Sequence, residues 1–187
     1  MIWTLAIGDQ SMANVQPIAL SDYHPRIQAL ETRNWARGLV PKDITHFLTV
    51  TLKNPDSKSD PEKWNVSSSP QRRELISHIL FRFDKRLYGK SHINREASKK
   101  FQFFMLEENR DKCGHPTFAH IHGAFAFGAS ELVKLADKWP TIETDIIQLV
   151  LDEGLEPNVC WQTADDGIAK YITKNAEACV ETIAIRA

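Results

Sequence analysis

The stretch from Phe101 to Phe127, FQFFMLEENRDKCGHPTFAHIHGAFAF, predicts two β-strands joined by a polar loop. Successive side chains of a strand point to opposite faces, so His120 and His122 share one face and can bind one metal ion. The first strand would pair antiparallel with the histidine strand, and its acidic end can supply a third ligand. Glu107 is the first choice because it directly follows the apolar run. Glu108, on the opposite face, is the alternative.

Length and composition predict one main domain. The chain has 187 residues, of which 42% are hydrophobic, enough for a single well-formed core. We expect residues 1–41 to form an N-terminal arm of unassigned role and residues 42–187 to form the functional domain. Three widely spaced cysteines and the lack of a signal or membrane-spanning segment favour a cytoplasmic protein with no membrane partner.

The order of elements predicts an α+β fold. Its core would be a central antiparallel sheet of about five strands with flanking helices, as in ferredoxin-like domains. The second predicted helix is ended by Pro140, because proline disfavours a continuing helix. The expected elements are strand 45–52, helix 69–87, strand 101–108, the histidine strand, helix 131–139, strand 158–162 and a helix from Asp165 or Asp166 to Asn175.

Positive charge is concentrated between Arg72 and Lys100, where nine basic residues face three acidic ones, although the whole chain has a net charge of −1. Such a run can be a solvated helix face or a surface that follows a nucleic-acid backbone. The candidate contacts are Arg72, Arg73, Arg82, Lys85, Arg86, Lys99 and Lys100.

Three short motifs occur in one order along the chain: Phe47-Leu48-Thr49-Val50-Thr51, His120-Ile121-His122-Gly123 and Tyr171-Ile172-Thr173-Lys174. This set resembles the motifs of the HUH endonucleases of the rolling-circle replication initiator type. The tyrosine follows the histidine pair, as in replication initiators and single-tyrosine transposases. Asn175 stands where two-tyrosine members have a second tyrosine, so the resemblance is to the one-tyrosine group.

The resemblance implies a nuclease that nicks and rejoins single-stranded or locally melted origin DNA of a plasmid, phage or mobile element. A divalent metal would be held by His120, His122 and Glu107; Mn²⁺ or Mg²⁺ is expected, and Zn²⁺ or Co²⁺ also suits the ligands. Tyr171 would attack the phosphate to give a 5′-phosphotyrosine and a free 3′-hydroxyl, with Lys174 supplying positive charge. The sequence has no P-loop, so a separate helicase is an expected partner.

Two alternatives remain open at this stage. The first is a transposase that uses the same single-tyrosine chemistry. The second is a noncatalytic nucleic-acid-binding α+β domain in which a structural zinc ion is bound by Cys113, His115, His120 and His122.

Overall fold

A computed structural model describes residues 25–55, 69–111, 113 and 115–187. Within them, every helix is too short or too polar to cross a lipid bilayer. The helices are α1 (Pro25–Leu39), α2 (Ser69–Tyr88), α3 (Ala129–Asp152) and α4 (Ile168–Ile172), and the strands are β1 (His46–Lys53), β2 (Gln102–Arg110), β3 (Pro116–Ala126), β4 (Glu156–Thr163) and β5 (Ala184–Arg186).

The strands form one five-stranded sheet in the order β4-β1-β3-β2-β5, and all neighbouring strands are antiparallel. This confirms the predicted α+β class with a central antiparallel sheet and flanking helices. The histidine strand β3 lies in the middle of the sheet, between β1 and β2. In this register His122 lies opposite Leu106 on β2 and Thr49 on β1, and His120 lies opposite Glu108.

The two faces of the sheet carry different cores. Helices α2 and α3 cover one face, where Val50, Met105 and Ile121 join the main apolar core. Helices α1 and α4 contribute to a smaller core on the other face, which includes Phe47 and Leu106. Because side chains alternate along each strand, His120, His122 and Glu108 belong to the α4 face.

Helix α1 packs on the domain rather than extending away from it. Ala36 is fully buried and Val40 nearly so, both in the smaller core. Arg33 also forms a two-pronged ion pair with Glu177 near the chain's end. The described part of the predicted arm, residues 25–41, thus packs against the region 42–187, whereas residues 1–24 lie outside the described residues.

Helix α3 corrects the prediction that Pro140 ends a helix, since it continues through Pro140 to Asp152. Proline removes one backbone donor and costs about 3 kcal/mol inside a helix. The continuing residues Ile142, Ile146 and Val150 recur at helical spacing and are fully buried in the main core. Burying three aliphatic side chains stabilises the fold by roughly 5–9 kcal/mol, which outweighs the proline penalty.

Helix α4 is shorter than predicted, because it ends at Ile172 rather than at Asn175. Lys174 therefore lies in the turn that follows the helix, and its backbone N–H donates to the carbonyl of Tyr171. The turn keeps Lys174 close to Tyr171 in space.

Candidate metal centre and tyrosine

Glu108, His120 and His122 form a compact group that could bind a metal ion. One carboxylate oxygen of Glu108, Oε2, lies 3.4 Å from His120 Nε2 and 3.6 Å from His122 Nε2. Two ligand atoms that are each about 2.1 Å from a tetrahedral ion lie roughly 3.4 Å apart. The spacing of these atoms therefore suits a single shared ion.

Neighbouring groups orient both imidazoles so that Nε2 points toward Glu108. His120 Nδ1 lies 2.7 Å from the carbonyl oxygen of Phe118, which can only accept a hydrogen bond, so Nδ1 carries the proton. His122 Nδ1 lies 3.2 Å from the hydroxyl of Thr49. Metal-binding histidines commonly engage their second ring nitrogen in this way, leaving the first free for the metal.

Burial leaves this group with unsatisfied polar atoms. Glu108 is 0% and His122 1% exposed, and among the described residues His122 Nε2 and both carboxylate oxygens of Glu108 have no hydrogen-bond partner, although Oε2 forms an ion pair with Lys174. Buried polar atoms in proteins are usually paired, because leaving them unpaired costs free energy. A divalent cation would satisfy all three atoms at once, so the residues present fit a metal.

The protonation states also suit metal binding. Burial by itself raises the pKa of Glu108, but contacts with His120 and His122 and the charge of Lys174 outweigh it and lower this pKa to about 2. Burial lowers the pKa of His122, against the opposing effect of Glu108. At neutral pH the site therefore presents a carboxylate and a neutral imidazole, the forms that bind metals.

Glu107, the first choice for the third ligand, is not part of this group, whereas the alternative, Glu108, is. Glu107 points to the opposite face and forms a close ion pair with Arg72 of α2. Burial raises the pKa of Glu107, and the nearby Arg72 opposes that shift. The physical reason is strand alternation, since the cross-strand neighbour of His120 is Glu108.

Tyr171 and Lys174 lie beside this candidate metal group, in keeping with the roles that the resemblance implies for them. The Tyr171 ring centroid is 5.4 Å from that of His122, in an edge-on arrangement, and Tyr171 is 48% exposed. Lys174 Nζ lies 4.2 Å from the Tyr171 ring centroid and 3.4 Å from Glu108 Oε2. An exposed tyrosine and an ammonium group thus border the candidate metal ligands.

The predicted basic surface does not adjoin this site. Helix α2 packs on the opposite face of the sheet, and Lys99 and Lys100 precede β2 at the end away from Glu108. Several of these cations contact acids of the protein itself. The pairs are Arg72 with Glu107, Arg86 with Asp145, Lys99 with Glu96 and Lys100 with Asp84. The remaining candidates, Arg73, Arg82 and Lys85, lie on α2.

Thr49 is a site residue to which the sequence assigned no role. The first motif was interpreted as a strand that resembles the first HUH motif, and Thr49 itself as an ordinary strand residue. The signal that identifies it is the register, which sets Thr49 of β1 directly opposite His122 of β3. Its hydroxyl is consequently placed to hold the His122 ring.

The alternative zinc cluster of Cys113, His115, His120 and His122 is not formed. The structure divides these four residues between two separate groups, Glu108 with His120 and His122, and Asp111 with Cys113 and His115. A single zinc ion bound by all four residues is therefore incompatible with this arrangement.

Similarity to known proteins gives no independent assignment of this site. No protein-family model matches the chain, and no significant match is found among curated proteins or solved structures. The resemblance to HUH endonucleases thus stays a prediction from three motifs.

Proposed function

We propose that this protein is a metal-dependent enzyme that nicks and rejoins single-stranded DNA, with Tyr171 as its nucleophile. One observation carries the proposal: a half-exposed tyrosine lies against a buried group of two histidines and one glutamate, with a lysine contacting both. A phenol beside a metal group and a cation suits covalent transfer of a phosphoryl group.

In the proposed reaction, the phenolic oxygen of Tyr171 attacks the phosphorus of a DNA phosphodiester. The bond from phosphorus to the 3′-oxygen breaks, and the tyrosine becomes linked to the 5′-phosphate. The phenolic proton ends on the departing 3′-oxygen, so a free 3′-hydroxyl is released. Because the bond energy is kept in the phosphotyrosine, attack by a 3′-hydroxyl can reverse the step and rejoin DNA.

Glu108, His120 and His122 would hold the divalent metal, which when bound supplies a Lewis acid that polarises the scissile phosphate. Mixed imidazole and carboxylate ligands suit Mn²⁺ or Mg²⁺, and Zn²⁺ or Co²⁺ also fit them. The ammonium group of Lys174 lies beside the Tyr171 ring, where it can stabilise negative charge on the phenolic oxygen or the phosphate.

The exposed part of the same sheet face offers a path for the DNA strand. Beside His120 and His122, β1 and β4 present polar side chains that are exposed or half-exposed, namely Thr51, Asn158, Cys160 and Gln162. The Tyr171 ring lies against Phe47 of β1 on this face, with 5.9 Å between the ring centroids, whereas helix α2 covers the other face. We therefore expect the substrate strand to cross β1 and β4 and to reach Tyr171 at the metal group.

We further propose that the natural target is a replication origin, in keeping with the order of the three motifs. Nicking would release the 3′-hydroxyl that primes rolling-circle synthesis of a plasmid, phage or related element. Strand separation would then be performed by a partner helicase.

The proposal is tested by incubating the protein with a library of random single-stranded oligonucleotides, with Mn²⁺ or with EDTA. Denaturing electrophoresis then separates free protein from covalent adduct. We expect an adduct that requires metal, persists in Tyr88→Phe and is absent in Tyr171→Phe. An adduct that survives in Tyr171→Phe or in EDTA, or no adduct from a library that contains every short target, contradicts the proposal.

A further inference from the structure

A second group of metal-binding side chains lies in the loop between β2 and β3. Asp111, Cys113 and His115 each offer one ligand atom, and these atoms lie within 4.8 Å of one another. One pair of these atoms, Asp111 Oδ2 and His115 Nδ1, is 3.2 Å apart. That distance is near the roughly 3.4 Å expected between two ligands of one tetrahedral ion.

Hydrogen bonds already connect Asp111 to the backbone of Cys113 and His115. Asp111 Oδ1 accepts hydrogen bonds from the backbone N–H groups of Cys113, at 2.7 Å, and His115, at 2.9 Å. The backbone N–H of Asp111 donates to the carbonyl of His115, also at 2.9 Å. Little further ordering is needed for the side chains to share an ion.

The ligand set differs in chemistry from the group at Glu108, because it includes a sulfur atom. Cys113 is a free, exposed cysteine, and His115 is exposed as well. Thiolate, imidazole and carboxylate together favour a borderline-soft ion such as Zn²⁺ over Mg²⁺ or Ca²⁺. Three protein ligands also leave a fourth tetrahedral position open to water.

We propose that Asp111, Cys113 and His115 form a second metal site, specific for zinc-like ions and independent of the group at Glu108. The site is coupled to the tyrosine region through Asn175, whose side-chain amide donates to the carbonyls of Arg110, at 3.0 Å, and Asp111, at 3.2 Å. Asn175 directly follows Lys174. An ion bound by Asp111 would therefore stabilise the backbone carbonyls to which Asn175 donates, and with them the position of Lys174.

The test is a titration of the reduced, full-length protein with Co²⁺, followed by absorbance. A cobalt–thiolate bond produces an intense near-ultraviolet charge-transfer band that nitrogen and oxygen ligands do not produce. We expect this band in the wild-type protein, its disappearance in Cys113→Ser and its persistence in Cys160→Ser, which removes the other exposed thiol. Bleaching of the band by added Zn²⁺ is expected from competition for one site.

Two further variants complete the test. His115→Ala should weaken Co²⁺ binding at Cys113 by about tenfold or more. Glu108→Gln should leave the band unchanged, which separates this proposal from the function proposed for Tyr171. No band in the wild-type protein, or a band that survives in Cys113→Ser, would overturn the second site; far-ultraviolet circular dichroism verifies that each variant is folded.

Discussion

Glu107 and Glu108 are neighbours in the chain but have opposite surroundings. Both are buried, at 3% and 0% exposure. Glu107 faces α2, where it pairs with Arg72 and burial raises its pKa, whereas Glu108 faces α4, where two histidines and Lys174 lower its pKa to about 2. The comparison teaches that the face of the strand decides whether a buried acid pairs with a helix residue or joins the candidate metal group.

The same contrast holds for the two faces of the sheet. The α2 and α3 face is a continuous apolar core in which the neighbouring strand residues Val50, Met105 and Ile121 meet the helices. On the α4 face, the smaller core gives way to the candidate metal ligands and, on β1 and β4, to exposed strand surface. The first face stabilises the sheet, and the second carries the candidate metal group.

The largest expected effect comes from a substitution on the α4 face that should change adduct formation and metal affinity in opposite directions. Lys174→Met should slow adduct formation by about a hundredfold, because a cation that stabilises developing charge is lost. Mn²⁺ binding should become tighter, since the ammonium group lies 3.4 Å from Glu108 Oε2 and repels a second cation there. The measurements are adduct kinetics and calorimetric titration with Mn²⁺.

Lys170→Met is the matched control, because Lys170 is an exposed lysine of α4, the helix that directly precedes the turn carrying Lys174. It should change neither quantity. Equal losses of adduct formation and Mn²⁺ affinity in Lys174→Met would indicate a structural role for this lysine.

The pH dependence of stability sharpens the comparison of the two acids. A pKa lowered from 4.5 to about 2 means that Glu108 contributes stability above pH 4.5 that is lost as the pH falls toward 2. The contribution is about 3 kcal/mol. The raised pKa of Glu107 has the opposite sign, so its contribution is full below pH 4.5 and is lost as the pH rises through its folded value.

Urea unfolding in EDTA, across about pH 3 to pH 8, measures both effects. Glu108→Gln should remove part of the acid destabilisation, and Glu107→Gln should remove part of the decline at rising pH. If both variants shifted the profile in the same direction, the assignment of the acids to opposite environments would fail.

A smaller effect is expected from the group that orients His122. Thr49→Val keeps the shape of the side chain but removes the hydroxyl that lies 3.2 Å from His122 Nδ1. Mn²⁺ affinity should fall by about tenfold, the usual scale for a supporting hydrogen bond. Thr51→Val, the same change on the same face of β1, should leave the affinity unaltered, and equal losses in both variants would refute the orienting role.

The smallest effect is expected on the α2 face. Replacing Arg73, Arg82 and Lys85 together by glutamine should change the affinity for single-stranded DNA by less than about twofold, since they lie across the sheet from Tyr171. Fluorescence anisotropy at one fixed salt concentration measures this. A loss of tenfold or more would restore α2 as the DNA-binding surface.

Much of the fold was predictable because the signals were local. Ser69 and Pro70 mark the start of α2 and the alternating residues near Thr49 mark β1, so these boundaries agree with the structure within about one residue. Strand periodicity also placed His120 and His122 on one face. The prediction that a helix ends at Pro140 was wrong, because burial of the residues that follow stabilises the helix beyond the proline.

The choice between Glu107 and Glu108 and the contacts of the basic residues depend on strand pairing and packing, which a single sequence does not show. Periodicity shows that Glu107 and Glu108 face opposite ways, but only the pairing of β2 with β3 shows which of them meets His120. Likewise, the positive charge of α2 is visible in the sequence, whereas the ion pairs Arg72–Glu107 and Arg86–Asp145 depend on packing between distant segments.

The most direct test of this account is calorimetric titration of Mn²⁺ into the wild-type protein, Glu108→Gln and Glu107→Gln. We expect Glu108→Gln to weaken Mn²⁺ binding by at least about a hundredfold and Glu107→Gln to change it by less than about threefold. Circular dichroism confirms that both variants are folded. Loss of binding in Glu107→Gln with retention in Glu108→Gln would contradict the proposed metal centre.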